Sequence, residues 1–113
     1  MNEKIRALID RLSERTANGS LMWHPGVAKD SFVVNFPSLS VEIMGDRVIR
    51  WMRIFDEKGN LIEEIAFTPT PTELQRDHAA LEYYDRVHGI HTMARRQALN
   101  SDQKLDILLQ ELA

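Results

Sequence analysis

The chain has 113 residues, 43% of them hydrophobic and 27% charged, with no cysteine and a formal net charge of −3. That length is one domain's worth, residues 1–113. The composition is too apolar for disorder and contains no run of about 18 apolar residues that would cross a membrane. Without cysteine there are no disulfides, no Cys-based zinc sites and no thiol catalysis, and the acidic balance argues against nucleic acid or an anionic membrane as partner.

The opening residues, MNEKIRALIDRL, alternate charge and lack the long apolar stretch of a signal peptide, so a cytoplasmic protein is expected. Ile5, Leu8, Ile9 and Leu12 recur at helical spacing. Asn2 is the expected N-cap, Glu3 suits the positive end of the dipole, and Asn18-Gly19 ends the helix through a left-handed residue. Leu21, Met22 and Trp23 read as a short strand before a His24-Pro25-Gly26 turn, and residues 27–31 as loop.

From Phe32 to Phe67 the apolar period changes to two, which predicts strands at about 31–36, 39–44, 47–55 and 61–67. The connections are short, so the strands form an antiparallel meander. Gly45-Asp46 is the expected two-residue turn of the middle hairpin. Residues 56–60 read as a type I turn closed by a glycine bulge at Gly59, and Pro37-Ser38 closes the first hairpin.

Thr70, Pro71 and Glu73 match a capping box for the next helix, predicted to reach about Leu99. Its stripe is Leu74, Leu81, Tyr84, Val87, His91, Ala94 and Ala98, interrupted at Gly89. Asn100-Ser101-Asp102 breaks and recaps the chain, and a last helix carries Leu105, Leu108, Leu109 and Leu112 on one face. The expected fold class is α+β: a single antiparallel sheet of four or five strands flanked by one N-terminal and two C-terminal helices.

Opposed residues of an antiparallel pair share a face. The predicted turns set Phe32 against Ile43 and Val34 against Val41. They also set Phe36 against Leu39, Ile43 against Val48, Leu39 against Met52, and Ile54 against Ile62. These residues form the expected core face. The second face then collects Val33, Asn35, Ser40 and Glu42 over the first strands, and Ile49, Trp51, Phe55, Leu61, Ile65 and Phe67 over the last. Arg53 is expected opposite Glu63. A slip of one residue in the last hairpin would swap the faces of strand 61–67. An apolar cluster of that size marks an interface unless a helix of the same chain covers it. Tyr84 is a further interface candidate, since tyrosine is enriched at contact surfaces.

Catalytic signals are lacking. Glu63 and Glu64 are adjacent on a strand and point to opposite faces, so they cannot serve as paired acid and base. No serine sits in a GxSxG context, and neither GxGxxG nor GxxxxGK[ST] occurs. No catalytic residue and no cofactor is assigned, and the reading is against an enzyme. Asp85, His88 and His91, spaced i, i+3 and i+6 on a helix, are the one constellation with metal-ligand character, but no second cluster supplies further ligands. Arg47, Arg50 and Arg53 beside Trp51 superficially suggest a nucleic-acid sheet, yet alternation puts Arg50 on the opposite face from the other two. Trp23 reads as a plug over the end of the core.

The order helix, T-x-N-G-x-L-x-W (Thr16, Asn18, Gly19, Leu21, Trp23), meander with DEKGNLIEEI at 56–65, then helices, is similar to small bacterial domains. That resemblance names no family and implies no activity. The function expected from the residues is a non-catalytic protein-interaction domain, self-associating as a homodimer through its apolar sheet and helix surfaces. The alternatives are a small acidic chaperone or adaptor that adds an extended client segment to a sheet edge, or a metal- or small-molecule-binding protein using His88, His91 and Asp85.

Overall fold

A computed structural model describes residues 2–69 and 82–113. Helix α1 (Glu3–Ala17) is followed by five strands, β1 (His24–Pro25), β2 (Ser31–Asn35), β3 (Leu39–Asp46), β4 (Ile49–Asp56) and β5 (Leu61–Phe67). Helices α2 (Tyr84–Ala98) and α3 (Ser101–Glu111) close the chain. The strands form one antiparallel sheet in the order β1-β2-β3-β4-β5. The fold is therefore α+β, an antiparallel five-stranded sheet with one N-terminal and two C-terminal helices. The Thr70–Glu73 capping box, Leu74 and Leu81 lie outside the described residues.

Local chemistry accounts for the ends of α1. The Asn2 side chain accepts a hydrogen bond from the Ile5 amide at 2.9 Å, satisfying one of the open donors of the first turn. Past the last turn Gly19 takes a positive φ of 78°. The first strand falls on His24–Pro25, not on Leu21–Trp23: His24 pairs with Val33 and Pro25 with Phe32. Leu21 and Trp23 are buried instead. The Trp23 indole Nε1 donates to Thr16 Oγ1 at 3.0 Å. Gln97 of α2 clamps this segment in both directions, accepting from the Trp23 amide at 3.0 Å and donating to the Leu21 carbonyl at 2.8 Å.

The first hairpin has the expected register, with Phe32 opposite Ile43 and Val34 opposite Val41. The second is displaced. Ile43 faces Met52 and Val41 faces Ile54, because the loop is Arg47-Val48 rather than Gly45-Asp46. Arg47 supplies the positive φ, 54°, and Arg50 Nη1 donates to the Arg47 carbonyl at 3.0 Å across the turn. Each partner of β3 moves along β4 by four residues. An even shift preserves the faces, so Val41, Ile43, Met52 and Ile54 still meet in the core. Val48, assigned to the core face, sits in the turn and is exposed.

The third hairpin closes as expected. Gly59 has φ +83°, and the Asp56 carboxylate accepts from the Lys58 and Asn60 amides, both at 2.9 Å. These bonds, the Asn60 amide's above all, hold that carboxyl below its usual range. Beyond the turn a β-bulge changes the register: Phe55 pairs with Leu61, but Ile54 pairs with Glu63 and Met52 with Ile65. One extra residue, Ile62, exchanges the faces of the rest of the strand. Ile65 and Phe67 therefore belong to the core side, where Phe67 is fully buried, while Ile62 turns outward and is half exposed. Arg53 faces Glu64, not Glu63.

The core lies between this sheet face and the helices. Helix α2 crosses β1 to β4 and α1 packs beside it. Ile5, Ile9 and Leu12 of α1 and Val87, Ile90, His91 and Ala94 of α2 are buried, with Tyr84 and Ala98 packed at the margin. Helix α2 runs unbroken through Gly89, so the expected interruption is absent.

Candidate interaction surfaces and the His91 junction

Helix α3 is set apart at its start. Asn100 adopts left-handed angles, φ 53° and ψ 48°, a conformation asparagine tolerates better than most residues. The backbone therefore turns between Leu99 and Ser101, and Arg96 of α2 pairs with Asp102 of α3 across the corner. Beyond that corner α3 buries nothing. Leu105 is 48% exposed, Leu108 50%, Leu109 67%, and Leu112, just past the helix, 80%. At 100° per residue these four occupy one stripe about 100° wide. The expected periodicity is present, but among the described residues nothing of this chain packs over it.

The second sheet face holds Met44, Ile49, Trp51 and Phe55 half-buried, with Leu61 and Ile62 half-exposed. Of the residues expected there, Ile49, Trp51, Phe55 and Leu61 are present. Ile65 and Phe67 are not, for the register reason given above. A polar ladder divides the face. Glu42, Arg53 and Glu64 are register partners on three adjacent strands. Arg53 Nε donates to Glu64 Oε2 at 2.6 Å and Nη1 to Glu42 Oε1 at 3.4 Å. The same guanidinium lies 5.9 Å from the Trp51 ring centroid. Arg53 is thus engaged on both sides within the sheet.

The metal constellation is not assembled. His91 is fully buried, whereas His88 and Asp85 are exposed. The His88 ring stacks on Tyr84 with centroids 5.7 Å apart and planes 7° from parallel. Tyr84 itself packs against the core margin rather than standing free. Among the described residues no group of three or more His, Asp or Glu side chains is placed to hold a metal ion. The helical spacing explains why: i to i+3 places two side chains near one face, but the edge of the core divides that face between inside and outside.

His91 instead locks a loop. Its Nε2 lies 2.9 Å from the Asp30 carbonyl, an acceptor only, so Nε2 carries the proton. Nδ1 is then an acceptor, 3.5 Å from Arg95 Nη2. Arg95 binds the Asp30 carboxylate through Nη2 at 2.8 and 3.0 Å and through Nε at 3.1 Å. Burial pushes the His91 imidazole below its ordinary range, and the Arg50 and Arg95 charges push the same way against Asp30. The ring is therefore a neutral strut. Asp30 holds a left-handed φ of 59°, fixed by these bonds and by the Gly45 amide on its carbonyl at 3.1 Å. Gly45 has no room for a side chain: a Cβ would stand 2.7 Å from Asp30 Oδ2 and 3.0 Å from His91 Cε1. Its absent side chain serves close packing, not the turn.

An open cleft of about 800 Å³ runs beside this junction, lined by Lys29, Asp30, Asp46, Arg47 and Leu99 among others. Its charges are mixed and its Asp30 carboxylate is committed to Arg95, so among the described residues its lining shows no convergent catalytic set. Asp30, Arg95 and Gln97 carry no local sequence signal as connectors, because their partners lie more than sixty positions away. The α3 leucines were visible as a stripe, but a stripe gives no sign of whether its own chain will cover it. Among the described residues no helix is long and apolar enough to cross a membrane. Comparison with protein-family models, with curated proteins and with solved structures finds no match.

Proposed function

We propose that this chain is a non-catalytic, cytoplasmic interaction module that self-associates as a homodimer. The observation that supports this reading is α3, whose leucines share one face and are all left at the surface. Exposed apolar patches that are contiguous and rimmed by polar residues are characteristic of contact surfaces. The apolar portions of the second sheet face, around Trp51 and Phe55, extend the same argument.

The magnitudes set the expected affinity. Full burial of a leucine side chain contributes about 1.5–3 kcal/mol. Half of that for each of the leucines in a symmetric pair gives roughly 10 kcal/mol gross. Association itself costs about 4–15 kcal/mol in lost freedom. The expected complex is a weak, concentration-dependent dimer, not an obligate one. Sedimentation equilibrium tests this: dimer mass should grow in across the micromolar range. A chain that remains monomeric at high micromolar concentration contradicts the reading.

A further inference from the structure

We propose that α3 docks on the α3 of a second copy, antiparallel about a two-fold axis at Leu108, with Lys104 of each copy paired to Glu111 of the other. This rests on the self-association reading and specifies its seam. Charge placement carries the argument. Lys104 and Glu111 lie on the same flank of the leucine stripe, within about 20° of each other around the helix and two turns apart along it. Neither makes an ion pair within the described structure, whereas Asp102 at the start of the same helix is held by Arg96.

In an antiparallel pair related by a perpendicular two-fold axis, like flanks face each other and run in opposite directions. Lys104 then meets the partner's Glu111, and the symmetry repeats the pair at the other end. Leu105, Leu108 and Leu112 fall at the spacing of a two-helix seam and Leu109 borders it, while Ile107 lies on the far side. A parallel pair sets Lys104 level with the partner's Lys104 and Glu111 level with its Glu111, so neither charge finds its opposite. The helix dipoles also favour the antiparallel arrangement.

Charge reversal tests the seam, read as the dimer dissociation constant by sedimentation equilibrium at low ionic strength. Lys104→Glu and Glu111→Lys should each weaken the dimer about tenfold, because both symmetric pairs become repulsive. The double variant should recover to within about threefold of the parent. All of these positions are exposed, so thermal unfolding should show little change in the fold. As a second readout, Leu108→Cys introduces the chain's only thiol, and a short bis-maleimide should trap the dimer at that position. A dimer that ignores both reversals and does not cross-link at position 108 overturns this seam while leaving self-association standing. A monomer at every concentration overturns both.

Discussion

Helices α2 and α3 are consecutive, joined by one turn, and both carry an apolar stripe, yet they have opposite fates. Helix α2 buries Val87, Ile90, His91 and Ala94 against the sheet, whereas α3 buries nothing. The difference lies in what each finds beneath it. The core face is already closed by α1, α2 and the buried Trp23, with Ile9, Ile43, Met52, Phe67, Val87 and Ile90 at 0% exposure. No described part of the sheet receives α3, and the left-handed Asn100 directs the chain away. An amphipathic pattern thus specifies that a face wants burial, not which molecule provides it. In α2 the stripe contributes to folding; in α3 it stays at the surface.

The contrast predicts large stability effects on one side and small ones on the other. Trp23→Ala should be the most damaging change, lowering stability by about 3–5 kcal/mol in chemical denaturation. It removes a fully packed indole and leaves the Thr16 hydroxyl without its donor. Gly45→Ala should cost about 1–3 kcal/mol, since its Cβ enters the space of Asp30 and His91. His91 gives the core a pH dependence of defined sign. Its folded-state pKa lies below the unfolded value of 6.5, so the folded chain binds fewer protons between the two. That contribution to stability is whole above pH 6.5 and is lost as the pH falls through the folded value. Denaturation midpoints measured against pH should show this slope in the parent and lack it in His91→Gln.

On the other side, Arg53→Ala should cost less than about 1 kcal/mol, because its two ion pairs are partly solvated. Leu108→Asp should change the stability of the dilute protein by no more than about 0.5 kcal/mol. The same variant should abolish the rise of melting temperature with protein concentration that association confers. A Leu108→Asp chain as unstable as the Trp23 variant would show that α3 belongs to the core after all.

How much of this was legible in the sequence differs by element. Helix α1 was readable with its cap, because spacing and Asn2 act locally. The first hairpin was readable because Pro37-Ser38 leaves one short turn. In the second, the glycine drew the turn to Gly45-Asp46, although Arg47 takes the positive φ and Gly45 is needed for the approach of His91. Period-two logic tolerated that error because the displacement was even. It did not tolerate the single-residue bulge at Ile62, which moved Ile65 and Phe67 from the supposed interface into the core. The Asp30–His91–Arg95 junction was not legible, since no local rule joins a loop aspartate to a helix so distant in the chain. The α3 leucines were legible as a face, but their exposure became visible only in the fold.

Amide hydrogen exchange of α2 and α3, followed from nanomolar to high micromolar protein, separates a folding stripe from an associating one. Helix α2 should be protected at every concentration, while α3 should exchange rapidly when dilute and become protected as copies associate. Protection of α3 that is the same at all concentrations would contradict it.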